Sequence, residues 1–386
     1  MSRHGITAHI AFYLLAVIAL SRPTSAAECP ARNFADSPAT IEACTARLNE
    51  PNLSSDDRAA ILVTRGRAFA ASGRQKEASL DYDQAIALAK DPTDARLWHG
   101  WLALNRNDFQ TAIEDAMAAL EKRPDSPHPY ALIGSIKRTF DFEGSRAAYQ
   151  KAISLAPNDA FYHYALATLL ERWAHDREAL AEIDAIAQLP AAELDKPEVY
   201  SMNIPASTRA AIGAERGKLL SLMGRYDEAE KAYDDAIRDA PCALTYAVRA
   251  NFHLSRDAPK EIIQADIDKA LALDLDLWLT HRVQASLDER EKNTEGALSE
   301  YQRAAELNPQ RGMLRWQRAL VLRDAGRVDE ATSEALAGLQ TDVDLFNRKS
   351  NELSKLGYLR AIAPGSDPTP AIRDAVQACM LDERCL

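Results

Sequence analysis

The sequence lacks most of the short motifs that identify enzyme active sites. It has no His-Glu-x-x-His pair, no Cys-x-x-Cys, no Cys-x-x-Cys-His and no Gly-x-Ser-x-Gly nucleophile elbow. The segment Gly213–Lys218 resembles a phosphate-binding loop, but it is one residue short, and Leu219 stands where a magnesium-binding Ser or Thr is required. We therefore expect no enzyme activity, no cofactor, and no catalytic or metal-binding residues.

Positive charge is scarce relative to negative charge. The chain has 46 Lys and Arg against 57 Asp and Glu, which gives a formal net charge of −11 at pH 7. This balance argues against nucleic acid as a ligand, because phosphate backbones are bound by surfaces rich in Lys and Arg. Glycine is also scarce, and apolar residues recur at helical spacing, as in Ala59, Leu62, Val63, Gly66 and Ala70. No segment has a convincing strand pattern, so an all-α fold is predicted.

Long apolar runs are missing as well. The run Ile10–Leu20 has 11 residues, whereas a helix needs about 20 to cross a bilayer. Arg3 precedes this run and the small residues of Ser21–Ala27 follow it, as in a secretory signal peptide cleaved, for example, after Ala26. We predict a signal peptide over residues 1–26, with a membrane anchor as the alternative. The mature chain then has no membrane span, and abundant Ala and Arg favour a bacterial periplasmic or secreted protein.

Cysteine is rare, and its positions agree with export. Cys29 and Cys44 can close a loop of about 15 residues near the amino terminus, which stabilises a fold by up to about 3 kcal/mol. Cys379 and Cys385 are a second candidate pair, which requires the last helix to end between them, because six helical residues rise about 9 Å. The remaining Cys242 is interpreted as a small packing residue, with a reactive thiol as the alternative.

The feature that is present through most of the chain is a repeat of 34 residues. Gly66, Gly100 and Gly134 follow each other at this spacing. Three further rows have the same spacing: Ala229, Ile263, Ala297 and Ala331; Tyr233, Ile267, Tyr301 and Ala335; and Ala236, Ala270, Ala304 and Gly338. Prolines recur at one phase, at Pro124, Pro157, Pro241 and Pro309. Such a period predicts supersecondary units that stack on their neighbours.

One period carries a recognisable set of small and large residues. It consists of Gly217, Leu220, Gly224, Tyr226, Ala229, Tyr233, Ala236 and Pro241. This set resembles the tetratricopeptide repeat family, with a small residue in the first helix, Ala and an aromatic residue in the second, and Pro at the exit. The resemblance implies an all-α, right-handed superhelical solenoid of about eight helical hairpins with capping helices. We expect Gly217 to face Ala229 where the two helices of a hairpin cross.

The register of the repeat predicts the domain organisation. After the signal peptide we predict a cysteine-bearing cap at 27–56, repeats 1–4 at 57–190, an insertion at 191–208, repeats 5–8 at 209–343, and capping helices at 344–386. The insertion is either a plain loop with a short helix or a segment that offers a contact surface.

The resemblance also implies a concave groove lined by the first helix of each hairpin. The inward positions are Arg67, Trp101, Asn105, His128, Arg138, Tyr164, Lys218, Arg282, Arg290, Trp316 and Arg323. On an acidic protein this set is basic and aromatic, as suits a scaffold that binds a protein or extended peptide with an acidic segment. The Lys and Asn constellation with which the family clamps a carboxylate is not found.

Other interpretations of these positions remain open. The Trp residues are packed between repeats and the Arg residues solvate the surface, or Trp101, Tyr164 and Trp316 stack on sugars in a helper protein associated with the cell wall. An enzyme whose site is built across repeats is a further alternative.

Overall fold

The computed structural model describes residues 37–190, 208–359 and 369–382. These residues form 19 α-helices and no strand, which confirms the predicted all-α class. The chain divides into two compact units, Met1–Asn203 and Ile204–Leu386. Each unit contains four helical hairpins, and we number the hairpins 1 to 8 along the chain.

Unit 1 begins with a single helix and continues with hairpins 1–4. The single helix is α1 (Ser37–Leu48). The hairpins are α2 (Ser55–Ala71) with α3 (Gln75–Leu88), α4 (Thr93–Asn105) with α5 (Phe109–Lys122), α6 (Pro127–Lys137) with α7 (Phe142–Leu155), and α8 (Ala160–Arg172) with α9 (Asp176–Ala187).

Unit 2 contains hairpins 5–8 and two further helices. The hairpins are α10 (Thr208–Leu222) with α11 (Tyr226–Asp239), α12 (Ala243–Ser255) with α13 (Lys260–Leu273), α14 (Trp278–Arg290) with α15 (Thr294–Leu307), and α16 (Gly312–Asp324) with α17 (Val328–Thr341). The further helices are α18 (Val343–Lys355) and α19 (Thr369–Met380), and α19 packs on α17.

A residue with positive φ turns the chain between the two helices of most hairpins. Seven of these turns contain one, namely Gly73, Asn107, Ala174, Gly224, Asp257, Lys292 and Gly326. The second helix then begins at a polar cap in several hairpins. Asp108 accepts a hydrogen bond from the Thr111 backbone N–H, and Asn293 accepts one from Gly296. These caps satisfy backbone donors that have no partner within a helix.

Glycines of the first helices make room for tyrosine rings of the second helices. The Cβ position of Gly66 is directed at the ring of Tyr82, and that of Gly217 lies 2.5 Å from Cε1 of Tyr233. The expectation that Gly217 faces Ala229 is therefore corrected, because the nearest atoms belong to the tyrosine. A side chain at either glycine would occupy the space that the ring needs.

Neighbouring hairpins stack in the same way within each unit. The second helix of a hairpin contacts the first helix of the next one, and consecutive first helices also touch each other, as α4 and α6 do in unit 1 and α12 and α14 in unit 2. This arrangement places the first helices side by side. Residues on these helices can therefore contact their counterparts about one period away.

Part of the cysteine prediction can be compared with the structure. Cys44 and Cys379 are buried and each is disulfide-bonded, whereas Cys242 is a free, half-buried thiol. The predicted partners, Cys29 and Cys385, lie outside the described residues, so both pairings stay predictions. The predicted signal peptide and residues 191–207 of the insertion lie outside them too. No helix of the described part is long and apolar enough to span a membrane.

Candidate functional site

The predicted groove residues are divided between the two units. Unit 1 carries Arg67 on α2, Trp101 and Asn105 on α4, His128 on α6, Arg138 directly after α6, and Tyr164 on α8. Unit 2 carries Lys218 on α10, Arg282 and Arg290 on α14, and Trp316 and Arg323 on α16. All but Arg138 thus lie on first helices, and the contacts of each set are described within its own unit.

In unit 1 two of these residues bridge consecutive first helices. The guanidinium carbon of Arg67 lies 4.1 Å from the ring centroid of Trp98 on the next first helix. The hydroxyl of Tyr162 on α8 donates a hydrogen bond of 2.6 Å to Nδ1 of His128 on α6. Burial lowers the pKa of His128 to about 4, so its imidazole is neutral and accepts this hydrogen bond.

The other predicted residues of unit 1 differ in accessibility. Asn105 and Arg138 are exposed, and the backbone carbonyl of Arg138 accepts a hydrogen bond from Nε1 of Trp173. Trp101 and Tyr164 are half-buried. The indole N–H of Trp101 is buried and has no hydrogen-bond partner in the described part of the chain.

In unit 2 the guanidinium of Arg282 lies in an environment that leaves its charge unbalanced. Its Nη2 donates a hydrogen bond of 2.7 Å to Oδ1 of Asn251 on α12. No carboxylate among the described residues forms an ion pair with it. Loss of hydration lowers the pKa of Arg282, and the positive charge of Arg311 lowers it further. The site thus holds a poorly hydrated cation whose hydrogen-bond partner is a neutral amide.

Arg311 was missed by the sequence analysis because it precedes α16 and belongs to no inward helical position. Its guanidinium carbon lies 4.6 Å from the ring centroid of Trp278. Desolvation also lowers the pKa of Arg311, and within the described chain it forms no ion pair. We define the first-helix surface of unit 2 by Asn251, Trp278, Arg282 and Arg311.

The remaining cations predicted in unit 2 already have partners. Lys218 forms an ion pair with Glu215, and Arg323 forms one with Asp324 at 2.7 Å. Arg290 donates a hydrogen bond to the carbonyl of Ala258. Their charges are therefore less available to a ligand than the charge of Arg282.

The expectation that Trp316 is an accessible anchor is wrong. Its side chain is 2% exposed, belongs to the core of unit 2, and has Nζ of Lys349 at 4.8 Å from its ring centroid. A buried indole cannot stack on a sugar or receive a peptide side chain, so the carbohydrate alternative loses one of its three aromatic residues.

Ion pairs between the helices of single hairpins are a feature that the sequence analysis missed. In six hairpins a carboxylate of the second helix pairs with a basic side chain of the first helix: Asp81 with Arg65, Asp115 with Arg96, Glu182 with His163, Asp266 with Arg249, Glu300 with His281, and Glu334 with Arg315. The spacing of 34 residues from Asp81 to Asp115, and again from Asp266 to Glu300 and Glu334, is the signal that could have found them. These pairs neutralise most first-helix cations, which sets Arg282 and Arg311 apart.

The described residues show no group of three or more His, Cys, Asp or Glu side chains that could hold a metal ion. The clusters of charge in this part of the chain consist of ion pairs and caps, whose structural role accounts for them.

A tetratricopeptide repeat family model matches residues 63–127 and 283–342, and a second tetratricopeptide repeat model matches residues 214–238. No curated protein gives a significant match to the sequence. The chain therefore contains tetratricopeptide repeats, and these repeats typically form non-catalytic scaffolds for protein–protein interaction.

Several solved structures are similar in fold. A tetratricopeptide repeat protein of Parabacteroides merdae has a TM-score of 0.49 and 15% identity, covering 65% of this chain and 93% of that chain. The pilF protein of Pseudomonas aeruginosa has a TM-score of 0.42 and 15% identity, covering 56% and 92%. A thermophilic tetratricopeptide repeat protein of Thermus thermophilus has a TM-score of 0.38 and 18% identity, covering 50% and 95%. At these identities the similarity concerns the fold alone.

Proposed function

We propose that the protein is an exported tetratricopeptide scaffold that binds an acidic segment of another protein on the first-helix surface of unit 2, as an assembly or adaptor factor. The observation that supports this most is the guanidinium of Arg282, which is poorly hydrated and contacts a neutral amide instead of a carboxylate. Export is inferred from the predicted signal peptide at residues 1–26 and from the disulfide-bonded cysteines, since disulfides persist in oxidising compartments.

A carboxylate is the ligand group that this environment favours. Taking a cation out of water costs free energy unless a counter-charge or strong hydrogen bonds replace the lost hydration. The planar guanidinium can donate two parallel hydrogen bonds to one carboxylate. Arg311 adds a second positive charge near the same position, and its repulsion with Arg282 is relieved when an anion binds.

Trp278 supplies an apolar component beside these charges. Its ring is half-buried and stacks under the guanidinium of Arg311. Aromatic and Arg side chains in partly desolvated positions are the types that contribute most to binding at protein interfaces. An acidic segment with an apolar residue next to its carboxylate therefore fits this surface best.

Binding of defined peptides tests the proposal. The probe is a fluorescent 12-residue peptide with alternating Glu and Leu, and the comparison peptide has Gln in place of every Glu. We expect the Glu peptide to bind in an anisotropy titration and the Gln peptide to bind at least about tenfold more weakly, as loss of charge-assisted hydrogen bonds implies. Arg282→Glu with Arg311→Glu should abolish the difference between the peptides.

The control carries the same change of charge at another position. Arg238 is an exposed residue of the second helix α11 that pairs with Asp235, so Arg238→Glu with a second exposed change, Arg303→Glu on α15, alters net charge equally. Equal loss of binding in this control would contradict the proposed site. Export is tested separately: sequencing the mature amino terminus from the native host should place it close to residue 27, and an intact Met1 would refute export by this signal.

A further inference from the structure

Unit 1 carries exposed aromatic side chains at the turns of three consecutive hairpins. Phe109 begins α5, Phe140 lies between α6 and α7, and Trp173 lies between α8 and α9. These side chains are 42%, 63% and 40% exposed, respectively. They belong to the turn that joins the first helix of a hairpin to its second helix. This position differs from the first-helix surface on which the proposed function depends.

Contacts between rings join these turns into one strip. The centroids of Phe109 and Phe140 are 6.4 Å apart, in an edge-to-face arrangement between hairpins 2 and 3. Phe142 lies 5.3 Å from Trp173 and stacks on the His175 ring at 4.8 Å, which joins hairpins 3 and 4. We call this strip, formed by these five residues, the aromatic edge. Nε1 of Trp173 also donates a hydrogen bond to the Arg138 carbonyl, which fixes the indole.

The equivalent turns of unit 2 have a different character. The second helices of hairpins 6 and 7 begin with the polar residues Lys260 and Thr294, and that of hairpin 8 begins with Val328. The one aromatic residue at this position, Tyr226, has the guanidinium of Arg256 at 3.7 Å from its ring centroid. Three adjacent turns with large exposed rings are therefore not a requirement of the hairpin turn. Exposed apolar patches of this kind mark interaction sites on proteins.

The charges along the aromatic edge favour an acidic partner. Arg106 and Arg138 are exposed, and within the described chain neither side chain forms an ion pair. The nearby carboxylates have structural roles instead. Asp108 caps α5, and hydrogen bonds from Thr111 hold its pKa below the usual range. Asp141 caps α7 and pairs with Lys137. The cations are thus available and these carboxylates are occupied.

From these observations we propose that the aromatic edge binds an acidic amphipathic helix of another protein. Neighbouring helices pack 8–10 Å apart, so three hairpins extend over about 20 Å, the length of about 14 helical residues. A helix of this length presents apolar residues at positions i, i+3, i+4 and i+7 on one side. Its apolar side covers the rings, and carboxylates at its margins meet Arg106 and Arg138.

The test uses a designed 18-residue helical peptide with Leu and Trp on one side and Glu on the other. One comparison peptide has Lys in place of Glu, and a second has the same composition in an order without helical periodicity. We expect the wild-type protein to bind only the first peptide. Phe109→Ser with Phe140→Ser should weaken that binding about tenfold or more, since buried aromatic residues dominate interface energies.

Two controls separate this surface from the rest of the molecule. Leu80 on α3 and Met117 on α5 are exposed apolar residues of second helices, so Leu80→Ser with Met117→Ser removes a similar apolar area elsewhere and should leave the affinity unchanged. Arg282→Glu with Arg311→Glu should also leave it unchanged, which distinguishes this proposal from the proposed function. Unchanged melting temperatures of the serine variants establish that they fold.

Three results would overturn the proposal. The first is equal affinity of the wild type and the Phe109→Ser, Phe140→Ser variant for the acidic peptide. The second is equal binding of the Lys peptide or the non-periodic peptide. The third is wild-type self-association in sedimentation experiments that the two Phe changes abolish, because the occupant of the edge is then a second copy of the chain.

Discussion

Two histidines of this protein donate hydrogen bonds from both ring nitrogens. Nδ1 of His281 donates to Glu300 at 2.7 Å, and Nε2 donates to the Leu275 carbonyl at 2.9 Å. In unit 1, His163 makes the same pair of contacts with Glu182 and Pro157. An ionised carboxylate and a carbonyl oxygen only accept hydrogen bonds, so each imidazole carries two protons and a positive charge. The carboxylate hydrogen bond is the main cause that raises the pKa of each ring.

We expect these two charged histidines to make stability depend on pH. A raised pKa in the folded state means that the stabilisation is complete below the unfolded pKa of about 6.5 and is lost as pH rises through the folded pKa. His163→Gln with His281→Gln should therefore lower the free energy of unfolding by about 1.5–3 kcal/mol for each residue at pH 6 and by less at higher pH. Urea unfolding between pH 6 and pH 9 measures this difference.

A matched control exists in His175, whose exposed ring contacts Glu178 at 3.0 Å. His175→Gln should alter stability little at any pH, because exposed ion pairs contribute little. His128 acts in the opposite sense, since the stability from its lowered pKa is lost as pH falls below about 6.5. It is present in all variants and therefore cancels. Parallel stability curves for the wild type and the double variant would contradict the assignment of charge.

Trp316 tests whether an aromatic residue of a first helix is a core residue or a ligand anchor. Because its side chain is 2% exposed, Trp316→Ala should leave a cavity and cost about 3–5 kcal/mol. The half-buried Trp101 in unit 1 should tolerate the same change better. Chemical unfolding compares the two variants. A Trp316→Ala protein with wild-type stability would show that the indole is not part of the core.

At the scale of single helices, the crossing inside a hairpin depends on a glycine next to a tyrosine. A Cβ atom at Gly217 would lie 2.5 Å from the Tyr233 ring, closer than packed atoms come. Gly217→Leu should thus separate α10 from α11 and cost about 1–3 kcal/mol. Lys231→Leu, at an exposed position of α11, is the control and should change stability by less than about 0.5 kcal/mol. Equal melting temperatures for both variants would disprove this packing.

The helical hairpins could be predicted from the sequence because their signal is local. Small residues and turn residues recur with the period, so an error in one repeat is corrected by its neighbours. Asn251 is an example: it occupies a position where Gly or Ala was expected, but the adjacent Ala250 is fully buried and keeps the pattern. Asn251 is thereby left to accept the Arg282 hydrogen bond, which the pattern could not indicate.

Contacts between helices were harder to predict than the helices themselves. The partner of Gly217 was misassigned because Ala229 and Tyr233 both lie on the buried side of α11, and both are buried. Helical periodicity identifies a side of a helix but not which of its residues reaches a given atom. The ion pairs inside hairpins were missed because each joins residues 16–19 positions apart, a separation at which composition gives no signal.

At the scale of the whole molecule, an acidic chain still holds cations that are not neutralised. The sequence predicted a basic surface from first-helix positions, and this identified Arg282. It could not show that Lys218 and Arg323 have carboxylate partners, nor that Arg311 lies close enough to Arg282 to lower its pKa. Those distinctions depend on the three-dimensional positions of neighbouring repeats, and they decide which residues can bind an acidic ligand.

The association rate of the acidic Glu and Leu peptide, measured against salt, tests the proposed function most directly. Charge complementarity mainly speeds association, and salt screens exposed charges beyond about 10 Å at 0.1 M. For the wild type we expect a rate that falls steeply with salt. For Arg282→Glu with Arg311→Glu we expect a slow rate with little salt dependence, while the Arg238→Glu, Arg303→Glu control keeps most of the wild-type slope. Equal rates and slopes for the wild type and the Arg282, Arg311 variant would contradict the proposal that this surface binds an acidic partner.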